Sequence, residues 1–163
     1  MSESDNTLTL RERGIPIHIG HSAANVTDDI EFVIRTAAVH DDNPEVHEAH
    51  RRGIPVFERT QAWGALMRGY PNALCISGTH GKTTTTSMCT HIMMAAEKDP
   101  TVMIGGTLPL LHACHRVGKG NTIIMESCEY YNSFLSLNPT IAVILNIEAD
   151  HLDFFKDIED IKH

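Results

Sequence analysis

Residues 78–84 have the composition and spacing of a loop that binds phosphate groups. They are Gly78, Thr79, His80, Gly81, Lys82, Thr83 and Thr84, and all are candidates for contact with a nucleotide. Glycines let the backbone curl so that successive amides point at phosphate oxygens, and a helix that begins at the end of the loop adds the positive end of its dipole. Lys82 can reach the β- and γ-phosphates, and the hydroxyl of Thr83 can bind Mg²⁺. The pattern predicts a nucleotide phosphate site with its metal ion.

The loop is shorter than the general pattern Gly-x-x-x-x-Gly-Lys. Ile76 stands where that pattern has its first glycine, so the sequence fits only the form Gly-x-x-Gly-Lys-Thr. A tight turn between a strand and a helix, with an incidental lysine, is the alternative interpretation. The apolar run before the loop and the threonine run after it together favour phosphate binding.

Two further apolar runs, residues 122–125 and 141–146, each end in groups that can hold a metal ion or a ligand. Ligands of open α/β sheets bind beyond the carboxyl ends of the strands, so these groups can face the phosphate loop. Taken singly, each carboxylate is more typical of a solvated loop and a lone histidine is more often structural, but their shared position favours a site. The candidates are Glu126, Glu129, Asn146, Glu148, Asp150 and His151.

Two other groupings favour ordinary packing over chemistry. The cluster of His112, Cys114 and His115 has no second pair of ligands at the spacing of a zinc site. A helix is predicted over residues 83–98, and its apolar residues are expected to pack in the core. These are Met88, Ile92, Met93 and Met94.

Strands separated by helical segments predict an α/β fold with a parallel sheet covered on both faces. Residues 73–77, 122–125 and 141–146 are the predicted strands of this sheet. The turn at residues 69–72 has the composition of a domain boundary, which divides the chain into domains over residues 1–70 and 71–163.

The first domain is predicted to contain short α/β elements. Strands are expected at residues 15–19, 30–34 and 54–57. Asn43, Pro44 and Glu45 have the composition of a helix start, and Thr60 is expected to cap a helix over residues 61–68.

Composition excludes several classes of protein. The net charge of −8 disfavours nucleic acid as a partner, and no apolar stretch approaches the roughly 20 residues of a membrane span. The hydrophobic fraction of 42% is enough for a core. The four cysteines are widely spaced, which indicates free thiols in a reducing compartment, and we expect a cytoplasmic protein.

The motifs resemble those of a known family. Residues 78–86 resemble the ATP loop of the Mur ligase family, and residues 129–135 and 146–153 resemble its alanine-adding members in particular. Residues 19–23 and 43–45 are similar to the N-terminal, UDP-binding domain of those enzymes. The resemblance covers essentially the whole chain.

The resemblance implies a partial Rossmann-like N-terminal domain that binds the UDP sugar, followed by the start of a P-loop-type ATPase domain. In the family reaction, ATP phosphorylates the carboxylate of UDP-N-acetylmuramate, and the amine of L-alanine attacks the acyl phosphate during peptidoglycan precursor synthesis. Catalytic roles are implied for Lys82, Glu129 and His151. Thr83 and Glu129 would hold one Mg²⁺ and His151 a second metal ion, with Glu126 as the alternative carboxylate.

The chain also departs from the family pattern at both ends. The glycine-rich turn that receives the UDP moiety is not found, and the sequence stops inside a helix predicted at residues 157–163. We therefore expect a part of a longer ligase that is inactive in amide synthesis by itself. A murein-peptide ligase acting on the same UDP sugar, or a nucleotide-binding module without ligase chemistry, are the alternatives.

Overall fold

The computed structural model of the protein describes residues 3–128, 130–149 and 155–162, and the side chains of all of these except residues 5, 6 and 130–132. The chain divides into two compact units, Met1–Arg59 and Thr60–His163. No helix within the described ranges is long and apolar enough to cross a membrane.

The first unit contains two helices and a two-stranded parallel sheet. Helix α1 spans Asp5–Glu12, strand β1 Val33–Arg35, helix α2 Pro44–Arg51 and strand β2 Val56–Glu58, with a 3₁₀ turn at Ala23–Asn25. The side chain of Asn43 accepts a hydrogen bond from the amide of Glu45 at 3.0 Å, and Pro44 is the first helical residue of α2. Both features stabilise a helix start, and the predicted helix is confirmed.

The strands predicted for this unit are confirmed only in part. Residues 15–19, all of which the structure describes, do not form a strand. Pro16 has no N–H to donate, and Ile15 and Ile19 are 45% and 44% exposed. The segments 30–34 and 54–57 overlap with β1 and β2, which are three residues long, end one residue later than predicted and pair in parallel. Alternating apolar residues overpredict strands where no neighbouring strand completes the hydrogen bonds.

The second unit is built around a five-stranded sheet. Its strands are β3 (Asn72–Ser77), β4 (Thr101–Leu108), β5 (Ala113–Arg116), β6 (Thr122–Glu126) and β7 (Ile141–Ile144), and the helices are α3 (Arg59–Met67), α4 (Lys82–Ala95) and α5 (Ile158–Lys162). The strand order is β5-β4-β6-β3-β7, in which β4, β6, β3 and β7 are parallel and β5 is antiparallel to β4. The three predicted strands are therefore neighbours in one sheet, which confirms the α/β fold.

Strands β4 and β5 form a hairpin that the sequence pattern did not predict. Gly105 and Gly106 interrupt β4, and glycine weakens the signal of a strand. The pairing of β4 with β5 also shifts register between Met103 and Leu108. The part of β4 that pairs with β6 ends at Met103, so Gly105 lies beyond it, toward the carboxyl end of the sheet.

The two faces of the sheet pack against different helices. Strand alternation places Ile76 and Ile124 on the face where α4 lies against β3, β4 and β6, and both side chains are fully buried. The opposite face packs against α3 through a separate buried cluster. That cluster consists of Met67, Ala73, Cys75, Ile123 and Met125. The strand that leads into the phosphate loop is thus fixed from both sides.

Helix α4 turns threonines rather than methionines toward the sheet. Thr86 and Thr90 are fully buried, and each hydroxyl donates to the carbonyl one turn earlier at 2.8 Å. Met88 and Ile92 are 59% and 64% exposed. The prediction that these two residues pack in the core is wrong, because helical residues two positions apart do not share a face.

Helix boundaries differ from prediction by a few residues. Helix α3 begins at Arg59, so Thr60 lies inside it and is not its cap. Helix α4 ends at Ala95, three residues before the predicted end near Lys98. Glu97, two residues after the helix, has a left-handed backbone with φ of 55°. The helix predicted at residues 157–163 is present as α5.

Candidate functional site

The loop between β3 and α4 takes its shape from two glycines. Gly78 and Gly81 have φ angles of 138° and 83°, which residues with a side chain rarely adopt. Helix α4 starts at Lys82 with Gly81 as its N-cap, and no side chain in the described parts of the chain caps it. The first amides of a helix have no partner inside the helix, and this arrangement is the one that binds phosphate groups.

The side chain of Lys82 folds back over the loop. Its ammonium group donates to the carbonyl oxygens of Gly78 at 2.5 Å and Thr79 at 3.3 Å. A positive charge therefore lies next to the positive end of the α4 dipole, in a molecule whose net charge is −8. The two together can attract an anion locally although the protein as a whole repels one.

One side of the loop is held by the segment that follows β7. The side-chain oxygen of Asn146 accepts from the amide of His80 at 2.9 Å, and its side-chain nitrogen donates to the carbonyl of His80 at 3.0 Å. The hydroxyl of Thr79 accepts from the amide of Glu148 at 2.9 Å. We call Asn146 and Thr79 the loop clamp. Because both ends of the Asn146 amide bind backbone, we infer that Asn146 affects a nucleotide through the shape of the loop.

On the other side of the loop, Glu126 accepts two hydrogen bonds at the carboxyl end of β6. Its Oε1 accepts from the hydroxyl of Thr83 at 2.9 Å, and its Oε2 accepts from the backbone amide of Gly105 at 2.7 Å. We call Glu126, Thr83 and Gly105 the carboxylate side. It brings an acid from β6 and a hydroxyl from the first turn of α4 into direct contact.

The oxygen atoms of the carboxylate side fit Mg²⁺. A threonine hydroxyl has one proton and two lone pairs, so Thr83 can donate to Glu126 and offer a lone pair to a metal ion at the same time. Mg²⁺ is usually bound by one or two carboxylates together with substrate phosphates and water. Across the described residues, no group of three or more His, Cys, Asp or Glu side chains could hold a metal ion, and a site of this kind does not need one.

Comparison with known proteins identifies the family. A family model described as the Mur ligase middle domain matches residues 76–163, and one described as the Mur ligase family catalytic domain matches residues 1–71. The chain belongs to the Mur ligase family.

Curated relatives are named UDP-N-acetylmuramate–L-alanine ligase. The chain is 50% identical over 161 residues to the one from Agathobacter rectalis, covering 99% of this chain and 35% of that relative. It is 47% identical over 163 residues to one from Clostridium botulinum, covering 100% of this chain and again 35% of the relative. The chain thus spans about a third of the length of the curated relatives it matches.

Solved Mur ligases share the fold. The UDP-N-acetylmuramate-alanine ligase of Thermotoga maritima matches with a TM-score of 0.83 and 36% identity, over 94% of this chain and 36% of that one. The UDP-N-acetylmuramate:L-alanyl-gamma-D-glutamyl-meso-diaminopimelate ligase of Neisseria meningitides matches with a TM-score of 0.86 over 99% of this chain and 55% of that one. The second match has 23% identity and shows the fold alone.

The family models and the compact units divide this Mur ligase chain at different points. The models end at residue 71 and begin again at residue 76, close to the turn at residues 69–72. The compact units divide after Arg59, because Met67 of α3 is buried against β3 and β6 and Trp63 packs on the same cluster. A domain boundary after residue 70 stays a prediction.

An apolar cavity of about 280 Å³ borders the phosphate loop of this Mur ligase at Ser77, Gly78 and Thr79. Cys75 is part of its lining, and burial raises the pKa of this thiol to about 11. None of the described residues that line the cavity is lysine or arginine. The described part of the lining therefore supplies no positive charge for phosphate.

Four further acids and histidines were predicted as site residues, and one of them lies beside the loop in the described part of the chain. Glu129, Asp150 and His151 lie outside the described residues. Glu148 is described, and its Oε2 lies 3.6 Å from Nε2 of the exposed His80. The predicted roles of Glu129 and His151 as metal ligands stay predictions.

Gly105 belongs to the carboxylate side, and the sequence motifs did not predict it as a site residue. A glycine pair inside an apolar run was the available signal, because glycine in a strand often marks the close approach of another group. The signal does not say which group approaches, and Glu126 lies 21 residues away along the chain.

Proposed function

We propose that this chain forms the nucleotide-binding centre of an ATP-dependent ligase that joins L-alanine to UDP-N-acetylmuramate during peptidoglycan precursor synthesis. The observation that carries the proposal is the contact between Glu126 and Thr83 at the start of α4, next to Lys82. About 50% identity to relatives that carry this ligase's name supports the choice of substrates. The four unpaired cysteines support a cytoplasmic location.

The residues of the loop would act mainly by positioning and by charge. The amides at the start of α4 and the ammonium group of Lys82 would bind the phosphates and offset the negative charge that develops during phosphoryl transfer. Thr83 and Glu126 would hold Mg²⁺. When bound, the metal ion supplies further positive charge beside the phosphate oxygens.

Glu126 is the carboxylate that we propose first as a ligand of Mg²⁺. Its contact with Thr83 supports this role. The roles of Glu129 and His151 rest on the resemblance to the family alone. We retain Glu129 as a further ligand and His151 as the ligand of a second metal ion near the substrate carboxylate. Lys82, Glu129 and His151 remain the proposed catalytic residues.

Ligation of a murein peptide to the same UDP sugar is less well supported. The solved relative of that kind is 23% identical and shows the fold alone, whereas the solved alanine ligase is 36% identical and curated alanine ligases are up to 52% identical. A plain nucleotide-binding module would share the loop and the carboxylate beside Thr83, so the identity to relatives named as alanine ligases is what favours the ligase.

The metal site is tested by measuring ATP affinity by calorimetry with and without Mg²⁺. Glu126→Gln keeps the size of the side chain and removes its charge, so we expect the gain in ATP affinity from Mg²⁺ to fall about tenfold. Glu97→Gln is the matched control, because Glu97 is exposed just beyond the far end of α4, about 20 Å from the loop along the helix. If the ATP affinity of both variants depended on Mg²⁺ to the same extent, Glu126 would not be a ligand of the metal ion.

The ligation itself is tested with a chimera. This chain would replace the matching 35% of the Agathobacter rectalis relative, and product would be followed by mass spectrometry with ATP, Mg²⁺, UDP-N-acetylmuramate and L-alanine. We expect alanine addition, and its loss when Lys82→Ala is introduced. A folded chimera that binds ATP and makes no amide with L-alanine, but does so with a murein peptide, would favour the other ligase.

A further inference from the structure

The backbone amide of Gly105 is directed at the Glu126 carboxylate. It donates to Oε2 at 2.7 Å, while Oε1 accepts from Thr83 at 2.9 Å. The carboxylate is thus held at one oxygen by the main chain of β4 and at the other by the first turn of α4. A main-chain donor has no rotamer freedom of its own, so this bond fixes the orientation of the carboxyl group.

The Glu126 carboxylate occupies the space that a Cβ atom at position 105 would need. A Cβ atom at Gly105 would lie 2.7 Å from Oε1 and 2.9 Å from Oε2 of Glu126, which are closer than real Cβ contacts. The backbone of Gly105 is not left-handed, so the close approach alone calls for glycine. At the next residue, Gly106, a Cβ would lie 3.7 Å from Cγ2 of Thr83, which is an ordinary contact.

We propose that Gly105 is a positioning residue for the metal site, which holds the Glu126 carboxylate against Thr83 through its amide and its missing side chain. The inference rests on the proposed metal role of Glu126 and Thr83. The carboxylate is the end of a flexible side chain, so a methyl group at position 105 displaces it and leaves β4 folded. Removing groups that orient metal ligands typically lowers metal affinity by about 10–100-fold.

The test compares Gly105→Ala with its neighbour Gly106→Ala in the 163-residue chain. ATP affinity is measured by calorimetry with Mg²⁺ and with a chelator, and thermal unfolding checks that both variants fold. In Gly105→Ala we expect the Mg²⁺-dependent gain in affinity to fall about tenfold or more, with metal-free affinity unchanged because Lys82 and the loop are untouched. Gly106→Ala should match the unmodified chain in both conditions.

A purely structural glycine would behave differently. It would lower the unfolding temperature or weaken ATP binding equally with and without Mg²⁺, and either result without loss of the Mg²⁺ effect overturns the proposal. Equal Mg²⁺ effects in the two glycine variants also overturn it.

A second measurement separates this inference from the proposed function. In ¹H–¹⁵N NMR spectra of the chain without nucleotide, the Gly105 amide signal should shift in Glu126→Gln, because that amide donates to the carboxylate, and it should not shift in the control Glu97→Gln. If the unmodified chain shows no Mg²⁺-dependent ATP binding, the proposed function fails, and the NMR shift still decides whether Gly105 holds the carboxylate. A Gly105 amide that does not respond to Glu126 overturns the inference whatever the binding data show.

Discussion

The two sides of the phosphate loop are built from different chemistry. The loop clamp uses neutral groups, and both ends of the Asn146 amide are hydrogen-bonded to the backbone of His80. The carboxylate side uses a charged group, Glu126, which accepts from Thr83 and Gly105 and keeps lone pairs for other partners. The shape of the loop and the charge beside it are therefore set by separate residues.

This difference leads to distinct expectations for variants on the two sides. A change in the loop clamp should weaken nucleotide binding to the same extent with and without Mg²⁺, because the loop shape serves both forms. A change on the carboxylate side should affect only the gain from Mg²⁺. The Mg²⁺ dependence of ATP affinity is thus the quantity that tells the two sides apart.

The largest effect is expected for Lys82→Ala. This change removes the positive charge that lies over the loop. A charge-assisted hydrogen bond contributes about 1.5–3 kcal/mol, so ATP affinity should fall roughly tenfold to hundredfold, with or without Mg²⁺. Calorimetric titration of the chain with ATP measures it. Lys98→Ala, beyond the far end of α4, is the control, and equal losses for both lysines would indicate diffuse attraction only.

Two threonines of one helix sharpen the comparison. Thr83→Val removes the hydroxyl that contacts Glu126, and we expect the gain in ATP affinity from Mg²⁺ to fall about tenfold. Thr86→Val makes the same chemical change at a fully buried position, whose hydroxyl donates to the Lys82 carbonyl. It should change the unfolding temperature and leave the Mg²⁺ effect intact. If Thr83→Val and Thr86→Val changed the Mg²⁺ effect equally, the hydroxyl of Thr83 would have no specific role in the metal site.

A smaller effect is expected on the clamp side. Asn146→Ala removes two hydrogen bonds to His80, each worth roughly 0.5–1.5 kcal/mol. Part of this loss falls on the stability of the loop rather than on binding, so ATP affinity should drop about threefold to tenfold, equally with and without Mg²⁺. Asn146→Asp keeps the acceptor for the His80 amide but places a negative oxygen against the His80 carbonyl, so its loss should be at least as large as that of Asn146→Ala. A loss confined to the Mg²⁺ form would contradict the division into shape and charge.

The last expectation concerns the stability of the fold rather than ATP affinity, at β3, which lies beneath both sides. Burial raises the pKa of the Cys75 thiol from about 9 to about 11. The folded pKa lies above the unfolded one, so the stabilisation is fully present below pH 9 and is lost as pH rises toward 11, by roughly 2–3 kcal/mol. Urea unfolding between pH 8 and pH 11 measures this slope, and Cys75→Ala should lack it.

A labelling experiment checks the same burial. At pH 8 the exposed Cys128 should react with iodoacetamide while the buried Cys75 does not. Reaction of Cys75 at the rate of Cys128 in the folded protein would show that β3 is not buried as described.

Local signals predicted the parts of the molecule that depend on neighbours in sequence. The apolar run at residues 73–77, the glycines of the loop and the cap of α2 at Asn43 are all present as expected. The strand at residues 15–19 failed because a strand needs a partner that the pattern cannot supply. Met88 and Ile92 were misplaced because the face of α4 that meets the sheet is decided by packing, and Thr86 and Thr90 occupy it.

The sequence by itself determined that a glycine-rich loop with a lysine follows a buried strand and that acids follow other strands. Only the tertiary structure decided which acid and which amide meet the loop. Glu126 reaches Thr83 across 43 positions and Asn146 reaches His80 across 66, because β6 and β7 are the two neighbours of β3. Hydrophobic periodicity shows that a strand is buried, and it carries no information on which strand lies beside it. The contact of Glu126 with Thr83, and the close approach of Gly105 to that carboxylate, follow from the strand order and the pairing of β4 with β6.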